Sequence, residues 1–199
     1  MTALLAEAGR TLAGSIAIAR RDRDASRYFD LSTESFWRSF AAIVFVGPIY
    51  LFFAAGEVRM LADAGLPATS GAPSAGGIFL SVLVTLGIVW IAYPLVMFFL
   101  ARMLGLANWF APYVIVYNWS SIPVSLLLAA PFLLYALELI GKRGLYTITL
   151  LTFLAAFIYR WILARDVLHA GGLTALGIVV LEMPLSGIVA AVVDRAFFG

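Results

Sequence analysis

The sequence predicts an all-α, polytopic transmembrane bundle of about five spans, preceded by an interfacial amphipathic helix. Three observations carry this reading. Only 12% of the 199 residues are charged, whereas a soluble domain needs roughly 25% to cover its surface. Mean hydropathy is +1.02, and the apolar residues fall in runs of about 20, long enough to cross a hydrocarbon core. Trp37, Trp109, Tyr146 and Trp161 fall near the ends of those runs, where amphipathic rings settle at the headgroup level. The chain divides into residues 1–35, a cytoplasmic segment, and 36–199, one membrane domain.

In the first segment, Leu4, Leu5, Ala8, Leu12 and Ile16 recur at helical spacing, with Glu7 and Arg10 off that stripe. Such a pattern suits a helix lying in the interface. Glu7 precedes the first basic residue, and Arg20, Arg21 and Arg23 end the apolar stretch, which is the wrong order for a secretory signal. Asp30 and Ser32, with Glu34 in the opening turn, mark the next helix start. Span one then runs from about Phe40 to Leu61. The stretch from Gly65-Leu66-Pro67 to Gly76-Gly77 reads as an exposed loop. Span two follows from about Ile78 to Leu104, and a short connection from Gly105 to Phe110 leads into span three, about Ala111 to Ile140. Gly141-Lys142-Arg143-Gly144 makes a tight turn into span four, about Leu145 to Leu163. Arg165, Asp166, His169 and Gly171-Gly172 turn the chain into span five, about Leu173 to Phe197.

Counting basic residues by side places Arg10, Arg20, Arg21, Arg23, Arg27, Arg38, Arg102, Arg160 and Arg165 with the N-terminus, and Arg59, Lys142, Arg143 and Arg195 opposite. Cationic loops stay cytoplasmic, so the N-terminus is expected inside. Arginine outnumbers lysine twelve to one, a composition of GC-rich genomes that points to a bacterial inner membrane.

Several function classes drop out. With no cysteine and a single histidine, thiol chemistry, iron–sulfur clusters and conventional zinc sites cannot be built. No phosphate-cradling glycine loop or nucleophile elbow occurs. Basic runs interleaved with aromatics are also missing, so nucleic acid is not an expected partner. The expectation is a protein without metal, cofactor or catalytic residues, whose partners are the lipid bilayer and other membrane proteins or further copies of itself.

The polar residues within the spans are the candidates for function. Glu182 falls near the middle of span five, where an ionisable group costs about 2.5–3.5 kcal/mol on insertion scales and so faces the bundle interior with a partner. Desolvation favours its neutral form, which would donate a hydrogen bond. Pro184 beside it removes one backbone donor and leaves the Val180 carbonyl free. Span three holds Tyr117-Asn118-Trp119-Ser120-Ser121-Ile122-Pro123, the most polar stretch inside any span. Glu182 lies roughly 13 Å into its span, and Tyr117, Asn118, Ser120 and Ser121 lie roughly 9–15 Å into theirs. Both spans start on the same side, so one of these four is expected to bond Glu182. Span three also holds Pro112, Pro123 and Pro131. Its Asn and Ser residues read first as glue between helices. The alternative, with Pro123 and Pro184 as helix breakers, is a broken helix lining a polar cavity. Ser186, Gly187, Ala190 and Ala191 form two small-xxx-small pairs that suit close packing of a neighbouring helix within the chain.

The order of a polar N-terminal segment and five spans resembles the Yip1 domain family. The likeness is carried by Phe110 to Leu134, with its Tyr117-to-Pro123 aromatic–small–proline pattern, and by Tyr159-Arg160-Trp161 leading through a basic turn to Gly172-Leu173. The resemblance implies a non-enzymatic membrane protein that organises partners or lipids. A scaffold or complex subunit is therefore the first expectation. The second is a small transporter or channel component with a proton- or ion-linked site at Glu182 and the third span.

Overall fold

The computed structural model describes residues 2–22, 24–64 and 74–198. Among these residues the protein is all-helical, with α1 Thr2–Ala19, α2 Thr33–Ser39, α3 Ile43–Asp63, α4 Ala75–Met103, α5 Ala107–Ala136, α6 Lys142–Asp166 and α7 Gly172–Phe198. A 3-10 turn at Phe40–Ala42 joins α2 to α3 in one 31-residue segment. That segment and α4 to α7 are five helices long and apolar enough to cross a membrane. Their outer faces carry Leu80, Ile91, Leu95, Phe99, Leu150, Leu151, Leu154, Ile188 and Val192. A shell of this kind is stable against lipid and unstable against water.

Helix ends follow local chemistry. Ser32 caps α2 by accepting from the Ser35 amide at 3.2 Å, and Ser74 caps α4 through Gly77 at 3.0 Å. Gly76 and Gly77 therefore belong to the first turn of α4 and not to the expected loop; the rest of that loop, 65–73, lies outside the described residues. Gly105, at φ 72, closes α4, with the Leu106 amide reaching back to Ala101 at 2.8 Å. Glu138 and His169 take the same left-handed position after α5 and α6. After α5 the Leu139 amide reaches back 6→1 to the Leu134 carbonyl at 3.0 Å, the Schellman geometry that satisfies terminal carbonyls. After α6 the Ala170 amide reaches one residue further back, to Ala164 at 3.2 Å.

The expected breaks are absent. Helix α5 is continuous through Pro112, Pro123 and Pro131, and α7 through Pro184. Each proline deletes one ladder bond, but in lipid the flanking peptide groups have no water to turn to, so the surrounding helix persists.

Helices α3, α4, α7, α6 and α5 form a ring in that order, each packed on the next, with α5 returning to α3. Helix α5 is the most buried span and α7 the least. The α3–α5 seam is tight at Gly56, where an added Cβ would lie 2.8 Å from the Phe132 ring and 2.9 Å from its Cβ.

Helix α1 packs along α5 and touches α6. Its buried face is Glu7, Thr11, Gly14, Ser15, Ala17 and Ile18, while Leu12 and Ile16 are exposed. Leu12 and Ile16 of the expected stripe are thus turned outward, Ala8 packs against the core, and the face that holds Glu7 is turned in. This polar face is tolerated because every group is satisfied. Thr11 and Ser15 donate to carbonyls four residues back at 2.9 Å, and Glu7 accepts from Ser35 at 3.2 Å and pairs with Arg38 at 3.5 Å.

A candidate intramembrane site

The polar residues of α5 converge on the inside of the ring. Tyr117 lies ten residues into α5 and Glu182 ten residues into α7, each about 15 Å from helix ends on the same side. Their side chains meet: the Tyr117 hydroxyl donates to Glu182 Oε1 at 2.5 Å. The contact expected of Glu182 is thus made by Tyr117.

Beyond them stands a residue that the sequence reading counted among the interfacial cations. Arg160 is only 7% exposed, because α6 continues past it to Asp166. The neighbouring Trp161 and the basic turn beyond gave it the look of a boundary residue. Its guanidinium carbon sits 3.8 Å from the centroid of the Tyr117 ring, a cation–π contact of the desolvated kind. Arg160 Nη1 donates to the Tyr117 carbonyl at 3.3 Å, and Nη2 donates to Ser121 Oγ at 2.9 Å. Guanidinium has five N–H donors, so the protein occupies two of them. Among the described residues no carboxylate lies within ion-pair distance of Arg160. Tyr117 thus stands between the cation and the acid, with its face toward one and its hydroxyl on the other.

Tyr93 stacks on Tyr117 with centroids 4.4 Å apart and shares a 2.7 Å hydrogen bond with Tyr113. Tyr93 and Tyr117 border a partly open cavity of about 240 Å³ lined by residues of all five ring helices. Its polar wall is Tyr50, Tyr93, Tyr117, Asn118, Ser121, Ser125, Arg160, Glu182 and Ser186. Its apolar wall includes Leu86, Val89, Trp90, Phe153 and Phe157.

The rest of the expected cluster divides, with Ser121 and Asn118 on the cavity wall and Ser120 off it. Asn118 donates to Ser39 Oγ at 3.0 Å, tying α5 to α2. Ser120 accepts from Tyr159 at 2.8 Å and bonds Ser15 of α1 at 3.1 Å. Helix α5 therefore distributes its polar residues around its circumference, Tyr117 and Ser121 toward the cavity and Ser120 toward α1. Ser186 bonds the carbonyls of Glu182 and Met183 in its own helix at 2.9 and 3.0 Å. Gly187 and Ala191 are exposed, and a Cβ at Gly187 would meet nothing within 4 Å. The four small residues therefore divide. Ser186 lines the cavity on the side of Glu182 and Val179, and Ala190 is half-buried. The Gly187–Ala191 pair faces outward and not onto a neighbour within the chain as expected.

At the opposite end Arg59 bonds Asp63 at 3.0 Å and Glu138 at 2.7 Å, and Tyr135 donates to Asp63 at 2.5 Å. This cluster clamps the ends of α3 and α5. His169 is exposed and stacks on Trp109 at 3.7 Å.

Arg160, Tyr93 and Ser15 escaped the sequence reading. The available signal for Arg160 was its position six residues inside the helix end, which burial of the final turns would have exposed. No protein-family model, curated protein or solved structure matches the chain.

Proposed function

We propose that the chain is a non-enzymatic protein of a bacterial inner membrane, N-terminus cytoplasmic, that works as a small transporter or channel component. The observation that carries this reading is the cavity inside the ring, walled by a buried arginine and a half-buried glutamate at mid-membrane depth. Charged groups there are costly and are kept where they contact a solute, an ion or a proton. A purely structural clamp needs no vacant volume beside it. At about 240 Å³ the cavity is below the 300–1,000 Å³ of pockets for drug-sized ligands, which favours a small solute. The test is native mass spectrometry of the protein extracted with its lipid in polymer discs. A lone chain carrying a small solute is the expected result, and loss of that solute from the Arg160→Lys variant would tie it to the cavity.

A second reading has its own observation. The outward Gly187 and Ala191 on α7 offer a close-approach face to another membrane helix. A membrane-organising scaffold or complex subunit would use it, in line with the Yip1 domain resemblance. A stoichiometric second protein, or a second copy, in the same spectra would support this reading in place of the first.

A further inference from the structure

We infer that the cavity takes a small organic monoanion together with one proton, the anion held by Arg160 and the proton by Glu182. This rests on the reading of the cavity as a solute site and adds the substrate class and its coupling.

The argument begins with charge. Arginine stays protonated in proteins, so Arg160 contributes one permanent positive charge to the cavity wall. Glu182 is the one carboxyl on that wall. The groups that face it are Tyr50 from α3, Tyr93 from α4, Tyr113 and Tyr117 from α5, and Arg160 from α6. All but Arg160 are neutral phenols. A carboxylate at Glu182 and the Arg160 guanidinium sum to zero across the Tyr117 ring. An anion arriving at Arg160 would leave a net negative charge in a low-dielectric interior, which is expensive. Protonation of Glu182 as the anion arrives restores the sum to zero. The proton goes to the Glu182 carboxyl, no bond in the anion breaks, and the loaded site equals the empty one plus a neutral acid. A dianion would need a second proton acceptor, and the wall has none.

Geometry agrees with this. Three N–H donors of Arg160 have no acceptor among the described residues, and a carboxylate is the planar partner that guanidinium geometry matches. Leu86, Val89, Phe153 and Phe157 on the same cavity suit a short apolar tail.

The test uses the full chain in zwitterionic nanodiscs titrated calorimetrically with sodium benzoate. Benzyl alcohol and benzylammonium serve as neutral and cationic counterparts. Buffers of different ionisation enthalpy report protons taken up. Expected are one proton bound per benzoate and affinity falling about tenfold per pH unit above the range where Glu182 ionises. Glu182→Gln is expected to bind benzoate with no proton uptake and a flat pH profile. Arg160→Lys keeps a cation but loses the fork and is expected to bind at least about tenfold more weakly. If Arg160→Lys does not fold, as judged by helical circular dichroism, the flat profile of Glu182→Gln decides alone. Benzoate binding without proton uptake, or unaffected by either substitution, overturns the inference. Binding of benzyl alcohol or benzylammonium but not benzoate overturns it while sparing the solute-site reading. Silence from all three probes removes both.

Discussion

Arg160, Tyr117 and Glu182 behave as one unit, because the aromatic ring between the charges contacts the guanidinium with its face and the carboxyl with its edge oxygen. Removing one buried charge strands the other, which costs about 3–5 kcal/mol, whereas replacing both by apolar or neutral groups is often close to neutral. Arg160→Met alone is therefore expected to lower the thermal midpoint in nanodiscs strongly. The Arg160→Met, Glu182→Gln double variant is expected to recover much of it, with a coupling of about 0.5–3 kcal/mol. Additive losses in that cycle would show that the two charges do not sense each other. Glu182 was legible as a residue needing a partner, and depth arithmetic reached Tyr117. Arg160 was not legible, since a cation a few residues from an aromatic boundary reads as snorkelling until the helix is seen to run on.

At the scale of elements, α3 and α5 are held together by shape and α2 by its cap. Gly56 lets α3 approach Phe132 so closely that any side chain must displace it. Gly56→Val is expected to destabilise the bundle by about 1–3 kcal/mol, read as a lowered melting temperature, while Gly187→Val on the open face of α7 is expected to leave the monomer unchanged. Asp30, outside the spans, accepts from the Ser32 amide at 3.0 Å and from Arg38 at 3.2 Å. The Ser32 backbone N–H, then its hydroxyl, hold the Asp30 carboxyl below the usual carboxylate value. The sign follows: its stabilising share is present above the ordinary carboxylate range and is lost as pH falls through the lowered value. Asp30→Asn is expected to flatten that acid-side loss in local hydrogen exchange at the start of α2. Helix α1 shows where periodicity misleads. Its apolar residues recur at helical spacing, but a stripe can face lipid as well as protein, so the pattern left open which side would be buried.

For the whole molecule, five helices are long and apolar enough to cross a membrane, and five crossings would put residues 2 and 198 on opposite sides. With Arg160 inside the bundle, the N-terminal side holds eight of the nine cations first assigned to it, against four on the other. Five of those eight precede the 31-residue segment and Arg38 lies within its first turns, so the proposed orientation rests on the N-terminal segment. The natural lack of cysteine allows a direct check. A thiol reagent that does not cross membranes, applied to intact cells, is expected to label Leu139→Cys and to spare Asp166→Cys. The reverse pattern would invert the topology. What the sequence by itself determined is the solvent: runs of apolar residues exceed the bilayer thickness, and that alone dictates helices, their number and their approximate ends, because lipid leaves backbone groups no other partners. Only the tertiary structure decided which polar residues share a site. Periodicity assigns residues to faces of one helix, but the order of helices around the ring sets which faces meet, and that order brought Arg160 of α6, Tyr117 of α5 and Glu182 of α7 to a single cavity.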